Sequence, residues 1–266
     1  MSETNAYAGH RASVAASSVI GPRRVNEDRA SATLSDVDGS WVIAVADGLG
    51  GHVRGDEAAQ AAIGGLPQRI GSADDMAVAF GEANERVLAL TGAEEWHKSR
   101  PYDLGLSEFP MSTLCVSAWT PEGGLLIGWM GDTLPFLVGV STEADGFSGF
   151  LCGRPHRVPG GSIEICLGMP PLGELSDPSS VEVEIIGESG DGIVPDAVIL
   201  ASDGAWEPFV DEHGVGWFYD RAVDGGVGAA CGQRSRTAAE MVDSILAGAA
   251  ELGLNDNASV AAALRR

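Results

Sequence analysis

Apolar residues recur along this chain with two different periods. Short apolar runs, rich in Val, Ile, Leu and Ala and bounded by Gly, Pro, Asp or Asn, predict strands at residues 13–20, 29–34, 41–46, 112–119, 125–130, 134–140, 181–186, 197–201 and 258–264. Asp36-Val37-Asp38-Gly39 separates the second run from the third, and Pro121-Glu122-Gly123-Gly124 the fourth from the fifth. Both are turn signals, so each flanking pair is expected to form an antiparallel hairpin.

Between these groups the apolar spacing changes to three and four. One helix is predicted to begin near Gly55, with Ala58, Ala59, Ala62 and Ile63 on its inner face. A second starts at Ser72, with Asp75 three residues on in the manner of a capping box, and carries Met76, Phe80, Ala83, Val87 and Leu90 as its stripe. A third covers residues 237–251, with Ala238, Met241, Val242, Ile245 and Leu246 on one side. These stripes read as core packing. Hairpins, two helices, more hairpins, a helix and a last strand predict an α+β fold. The arrangement that uses every element is a four-layer α-β-β-α sandwich, with two antiparallel β-sheets flanked by helices. Residues 1–266 are expected to form a single domain, with 1–10 as a flexible N-terminus. The stretches 141–180 and 214–236, rich in Gly and Pro, are expected to be the least structured.

Composition narrows the function classes. Hydrophobic residues make up 44% of the 266 positions, enough for a sizeable core. The net charge of −22 repels phosphate backbones and anionic lipid, which argues against nucleic acid and membrane as partners. No apolar run approaches the roughly 18 residues of a membrane span. Residues 1–10 show neither a basic start nor an apolar run, so no secretory signal is read and a cytoplasmic protein is expected. Cys115, Cys152, Cys166 and Cys231 lack CxxC spacing and read as free thiols.

The chemistry lies in acids at strand edges. Glu27 and Asp28 precede one strand; Asp47 and Asp203 each follow an apolar run and precede a glycine; Asp132 follows Gly131; Asp256 precedes the last strand. A carboxylate at the end of a buried strand is costly unless it is paired. Arginine is one partner, but only Arg23 and Arg24 accompany these segments. A divalent cation is the other, and hard oxygen donors select Mg2+ or Mn2+ over zinc. Asp-Gly is equally a common turn pair, so each pair alone supports either reading. The recurrence at five strand edges points to a metal site.

The same segments resemble, in order and over residues 14–264, the PP2C-like (PPM) family of metal-dependent protein serine/threonine phosphatases, and its bacterial members most closely. The resemblance rests on Arg23-x-x-Asn26-Glu27-Asp28, Val45-Ala46-Asp47-Gly48-Leu49-Gly50-Gly51-His52, Gly131-Asp132-Thr133, Ser202-Asp203-Gly204-Ala205-Trp206-Glu207 and Asp256-Asn257-Ala258-Ser259. It implies hydrolysis of phosphoserine and phosphothreonine in proteins by a metal-bridged water. Asp47 would bridge two Mg2+ or Mn2+ ions. Glu27, Asp203 and Asp256 would complete one, and the Gly48 carbonyl would bind the other, with Asp28 and Asn257 behind them. Asp132 with Asp203 matches the pair that holds a weaker third ion. Arg23 would grip the phosphate, its alternative being a surface arginine paired with a nearby acid. His52 is read as structural or substrate-near.

Several positions depart from the family. Leu49 stands where eukaryotic members carry a histidine acid. Gly131-Asp132-Thr133-Leu134 lacks the arginine expected after Gly-Asp-Ser, and Pro110-Met111-Ser112-Thr113 replaces Gly-Met-Gly-Thr-Thr. The family's Asp-His-Ser segment is not recognisable; between Val140 and Glu164 only Arg154-Pro155-His156-Arg157 stands out. These departures leave two alternatives: a catalytically impaired pseudophosphatase acting as a binding or regulatory module, and a hydrolase of small phosphoesters. The sequence does not specify the oligomeric state.

Overall fold

The structure, a computed structural model, describes residues 12–91, 108–122, 124–141, 146–151, 153–157, 163, 165–168, 182–186, 195–209 and 237–265. Ten strands form two five-stranded sheets. The first has the order β1-β10-β9-β6-β7, from β1 (Ala12–Val19), β6 (Leu134–Ser141), β7 (Gly146–Leu151), β9 (Ala197–Ala201) and β10 (Ala258–Arg265). The second has the order β2-β3-β4-β5-β8, from β2 (Asp28–Leu34), β3 (Trp41–Asp47), β4 (Leu114–Thr120), β5 (Gly124–Met130) and β8 (Glu182–Ile186). Every neighbouring pair is antiparallel. Helices α1 (Gly55–Ile63) and α2 (Ala73–Ala89) cover the second sheet, and α4 (Ala238–Leu252) covers the first. This is the four-layer sandwich expected from the apolar periodicities.

Strand β3 shows how the layers are specified. From Trp41 to Ala46 it is apolar, because both of its faces are buried. Trp41, Ile43 and Val45 join the cluster that includes Phe136, Ile199 and Val260 of the opposite sheet. The alternate residues Val42, Ala44 and Ala46 join Ala58 and Ala59 of α1 and Phe80 of α2. A slip of one residue would exchange these two sets, so packing fixes the register.

Two helix starts differ in chemistry. Ser72 accepts a hydrogen bond from the Asp75 amide at 3.1 Å, but the Asp75 carboxylate turns to the Gly71 amide instead of closing a capping box. The reciprocal box is at Thr237 and Glu240, where it opens α4. Strand β7 lies within the stretch expected to be least structured; pairing with β6, from Phe136↔Leu151 to Ser141↔Gly146, outweighs its glycine content. A one-turn helix, α3 (Asp203–Trp206), and the 3-10 turn Glu207–Phe209 are too short for periodicity to reveal. Residues 1–10 and 214–236 lie outside the described residues, as do Cys152 and Cys231. Cys115 and Cys166 are buried and form no disulfide.

Gly128 explains itself by packing. A Cβ there would stand 2.9 Å from Cγ of Met76 and 3.1 Å from the ring of Phe80, so a strand residue without a side chain lets α2 lie close on β5. Gly128→Val should lower stability by about 1–3 kcal/mol, read as a lower urea midpoint; an unchanged midpoint would mean that α2 moves away freely.

Candidate metal centre

Antiparallel pairing gathers the acids at one end of both sheets. Asp28 opens β2 and lies directly opposite Asp47, which ends β3. In the other sheet, Ala201 at the end of β9 pairs with both Leu134 at the start of β6 and Val260 near the start of β10. Asp203, Asp132 and Asp256 therefore leave three neighbouring strands on the same edge. Short bonds join the sheets there. The Ser202 hydroxyl donates to Asp28 Oδ2 at 2.7 Å and accepts from the Ser259 amide at 2.9 Å. Thr113 Oγ1 accepts from the Asp47 amide at 3.0 Å and shares a 2.5 Å contact with Thr133 Oγ1. Asn257 accepts from the Glu27 amide at 2.8 Å and donates to the carbonyls of Ile20 and Val25. That side chain fixes the Arg23–Glu27 segment over the start of β10.

The glycines after Asp47 and Asp203 are required by close approach. A Cβ on Gly48 would lie 2.1 Å from the Gly55 carbonyl oxygen, and one on Gly204 only 1.9 Å from that of Asn257. His52 Nδ1 stands 3.2 Å from the Phe109 carbonyl, which ties its loop to the segment before β4. Leu49 packs on Phe109, Met111 and Cys166. Burial pushes the Cys166 thiol up to about 12, so it is not a nucleophile.

The carboxylates are under-compensated. Burial, then the charges of Asp28, Asp203 and Asp132, hold the Asp47 carboxyl well above its ordinary range. Burial raises Asp28 to about 6 against the hydrogen bond from Ser202. Burial and then Asp132 raise Asp203 to about 7. Burial also raises Glu27, with Arg23 opposing. One buried oxygen on each of Asp28, Asp132 and Asp203 has no hydrogen-bond partner in the protein.

Arginines answer part of this charge, and one of them was not expected. Arg23 pairs with Asp256, both about two-fifths exposed at 44% and 38%. Arg157 reaches Asp132 and Asp203 together, with its Nη2 2.5 Å and 2.9 Å from their Oδ2 atoms, and its Nη1 2.6 Å from Glu207 Oε1. The expectation that only Arg23 and Arg24 accompany the acids is corrected: Arg157 is 25 and 46 residues from its partners in sequence, beyond any local pattern. No local signal could have assigned it.

The donors fit a hard divalent cation. They are all oxygens, and three buried carboxylate atoms are unsatisfied. Among the described residues, no three acidic, His or Cys side chains already stand close enough to hold an ion. Because the Asp28, Asp47 and Asp203 carboxyls are raised in the folded state, the folded protein holds protons that the unfolded chain releases. Stability without metal should therefore be greatest below the ordinary carboxylate range, near pH 4, and fall as pH rises through about 7. Mn2+ should remove that fall. Melting temperatures across this range, with chelator and with Mn2+, check it; parallel curves would place the ion elsewhere.

No protein-family model matches the chain, and no curated protein matches its sequence. Solved structures do match its fold. The PPM Ser-Thr phosphatase MsPP from Mycobacterium smegmatis, in complex with cacodylate, superposes with a TM-score of 0.63 at 20% identity, over 94% of this chain and 97% of that one. PppA, a regulatory component of the type VI secretion system in Pseudomonas aeruginosa, gives 0.64 at 19% identity, over 96% and 98%. The catalytic domain of the phosphatase PstP, in complex with two manganese ions, gives 0.62 at 18% identity, over 96% and 99%. Over nearly its whole length, this chain has the fold of the bacterial PPM serine/threonine phosphatases.

Proposed function

We propose that residues 1–266 form one phosphatase domain that hydrolyses phosphoserine and phosphothreonine in proteins, dependent on Mg2+ or Mn2+ and acting in the cytoplasm. The observation that carries this reading is the set of buried, unsatisfied carboxylate oxygens at one end of both sheets, on a fold shared with phosphatases. The two manganese ions of PstP support a two-ion site. No helix among the described residues is long and apolar enough to cross a membrane.

Asp47, Glu27, Asp203, Asp256 and the Gly48 carbonyl would hold the ions. Bound there, two such ions supply an acidified water as nucleophile and offset charge on the phosphoryl oxygens. The chain supplies the rest. Asp28, anchored by Ser202, sits behind Asp47 and keeps that side of the site negative. Arg23 lies at the exposed rim, near Gly50 and Glu27. An exposed pair such as Arg23–Asp256 is worth only about 0–1 kcal/mol, so the guanidinium can leave it for a phosphate, which it would hold by two parallel hydrogen bonds. With Leu49 in place of an acid, the leaving seryl or threonyl oxygen takes its proton from solvent.

The pseudophosphatase reading has one observation in its favour: Arg23 and Arg157 already offset part of the charge on Asp256, Asp132 and Asp203. Kinetics separate the readings. A phosphothreonine peptide and an aryl phosphate are assayed with Mn2+ and with chelator. Mn2+-dependent turnover of the peptide is expected; turnover of neither substrate supports the binding module, and of the aryl phosphate alone a small-molecule hydrolase. Asp47→Asn and Asp203→Asn should each lower kcat about 100-fold or more in folded protein, and activity near wild type would remove that acid from the site. Arg23→Ala should raise KM and lower kcat, for a loss of about 10–100-fold in kcat/KM; an unchanged kcat/KM would mark Arg23 as a surface residue.

A further inference from the structure

Arg157 differs from Arg23 in what holds it. Its segment is bonded to the end of β5. Trp129 Nε1 donates to the Arg154 carbonyl at 3.1 Å, the Gly131 amide donates to His156 Nδ1 at 3.1 Å, and the His156 amide returns a bond to the Gly131 carbonyl at 2.9 Å. Gly153 has a φ of +106°, and a Cβ there would stand 2.5 Å from the Trp129 ring. These contacts deliver the Arg157 side chain, 18% exposed, to Asp132, which is 1% exposed. Its guanidinium lies 5.7 Å from the Trp206 ring, and the Trp206 indole in turn donates to the Asp132 carbonyl at 3.0 Å. The arginine is thus enclosed from four sides, with a carboxylate on three of its donors.

A divalent ion bridging Asp132 and Asp203 through their Oδ2 atoms would need the oxygens that Arg157 holds, while the Oδ1 atom of each is unpartnered. It would also sit within a few ångströms of a fixed positive charge, at a place with little water to screen the repulsion. Charge repulsion therefore disfavours a second cation beside Arg157.

We infer that Arg157 is the resident cation between Asp132 and Asp203, so that this chain takes two divalent ions at its centre with the guanidinium in place of a third. The inference rests on the metal-centre reading above and goes beyond it, because it concerns stoichiometry. It makes Arg157 a positioning residue: it fixes Asp132 and the outer oxygen of Asp203 whatever the metal concentration. Asp203 Oδ1, unpartnered like Asp132 Oδ1, stays available to the two-ion centre.

Calorimetric titration of chelator-treated protein with Mn2+ tests this, using wild type, Arg157→Gln, which keeps the stem and removes the charge, and Arg157→Lys, which keeps the charge. The expected counts are two ions for wild type and for Arg157→Lys, and three for Arg157→Gln. The chelated Arg157→Gln protein should also melt below chelated wild type, and should gain more from saturating Mn2+. Equal counts in all three proteins overturn the inference, whether two or three, as does an equal gain in melting temperature. No binding by any of them sinks the metal centre itself, and the inference with it. If Arg157→Gln fails to fold even in saturating Mn2+, that also counts against the inference, because an ion in the vacated place restores the charge that was removed.

Discussion

Repulsion among carboxylates crowded at one end of two sheets is the constraint to which the rest of the structure responds. Asp28 and Asp47 face each other across a strand pair, where like charges destabilise. Asp132 and Asp203 come to the same edge from the other sheet. Hydrogen bonds donated by Ser202 and accepted by Asn257 bind the sheets around these acids but cannot supply positive charge. That charge has to come from arginine, from protons or from a divalent cation. The raised carboxyls of Asp28, Asp47 and Asp203 show that arginine alone does not suffice.

Two arginines meet this charge in different settings, and burial decides what each can do. Arg23 and Asp256 are solvated, so their pairing is weak and reversible. Such an arginine is available to a ligand phosphate. Arg157 is enclosed, and removing one partner of a buried pair leaves an uncompensated charge, which makes that contact persistent. One guanidinium therefore suits binding and release, and the other suits fixed charge. Both active and inactive readings of the chain turn on this division, because it sets how much of the acidic edge is left for metal.

The two Asp-Gly pairs illustrate how packing and site are one design. Each glycine admits a neighbouring carbonyl so closely that any side chain would collide, Gly55 against Gly48 and Asn257 against Gly204. Those approaches bring α1 and the start of β10 up to the acids. The same closeness that forms the core edge forms the floor of the site.

Local pattern determined a large part of this protein. The apolar run of β3, the helical stripes of α2 and α4 and the turn at Asp36–Gly39 carry the sandwich, because run length, side-chain period and turn chemistry are properties of neighbouring residues. The acids were legible for the same reason: each lies just before or just after an apolar run. Tertiary structure alone decided what is not local. Strand β7 owes its form to β6 rather than to its composition, and the need for Gly48 and Gly204 comes from backbone that arrives from elsewhere in the chain. Arg157 is the clearest case. Nothing near residue 157 marks it as the partner of Asp132 and Asp203, since a charge pair across 25 or 46 residues exists only once the sheets have packed.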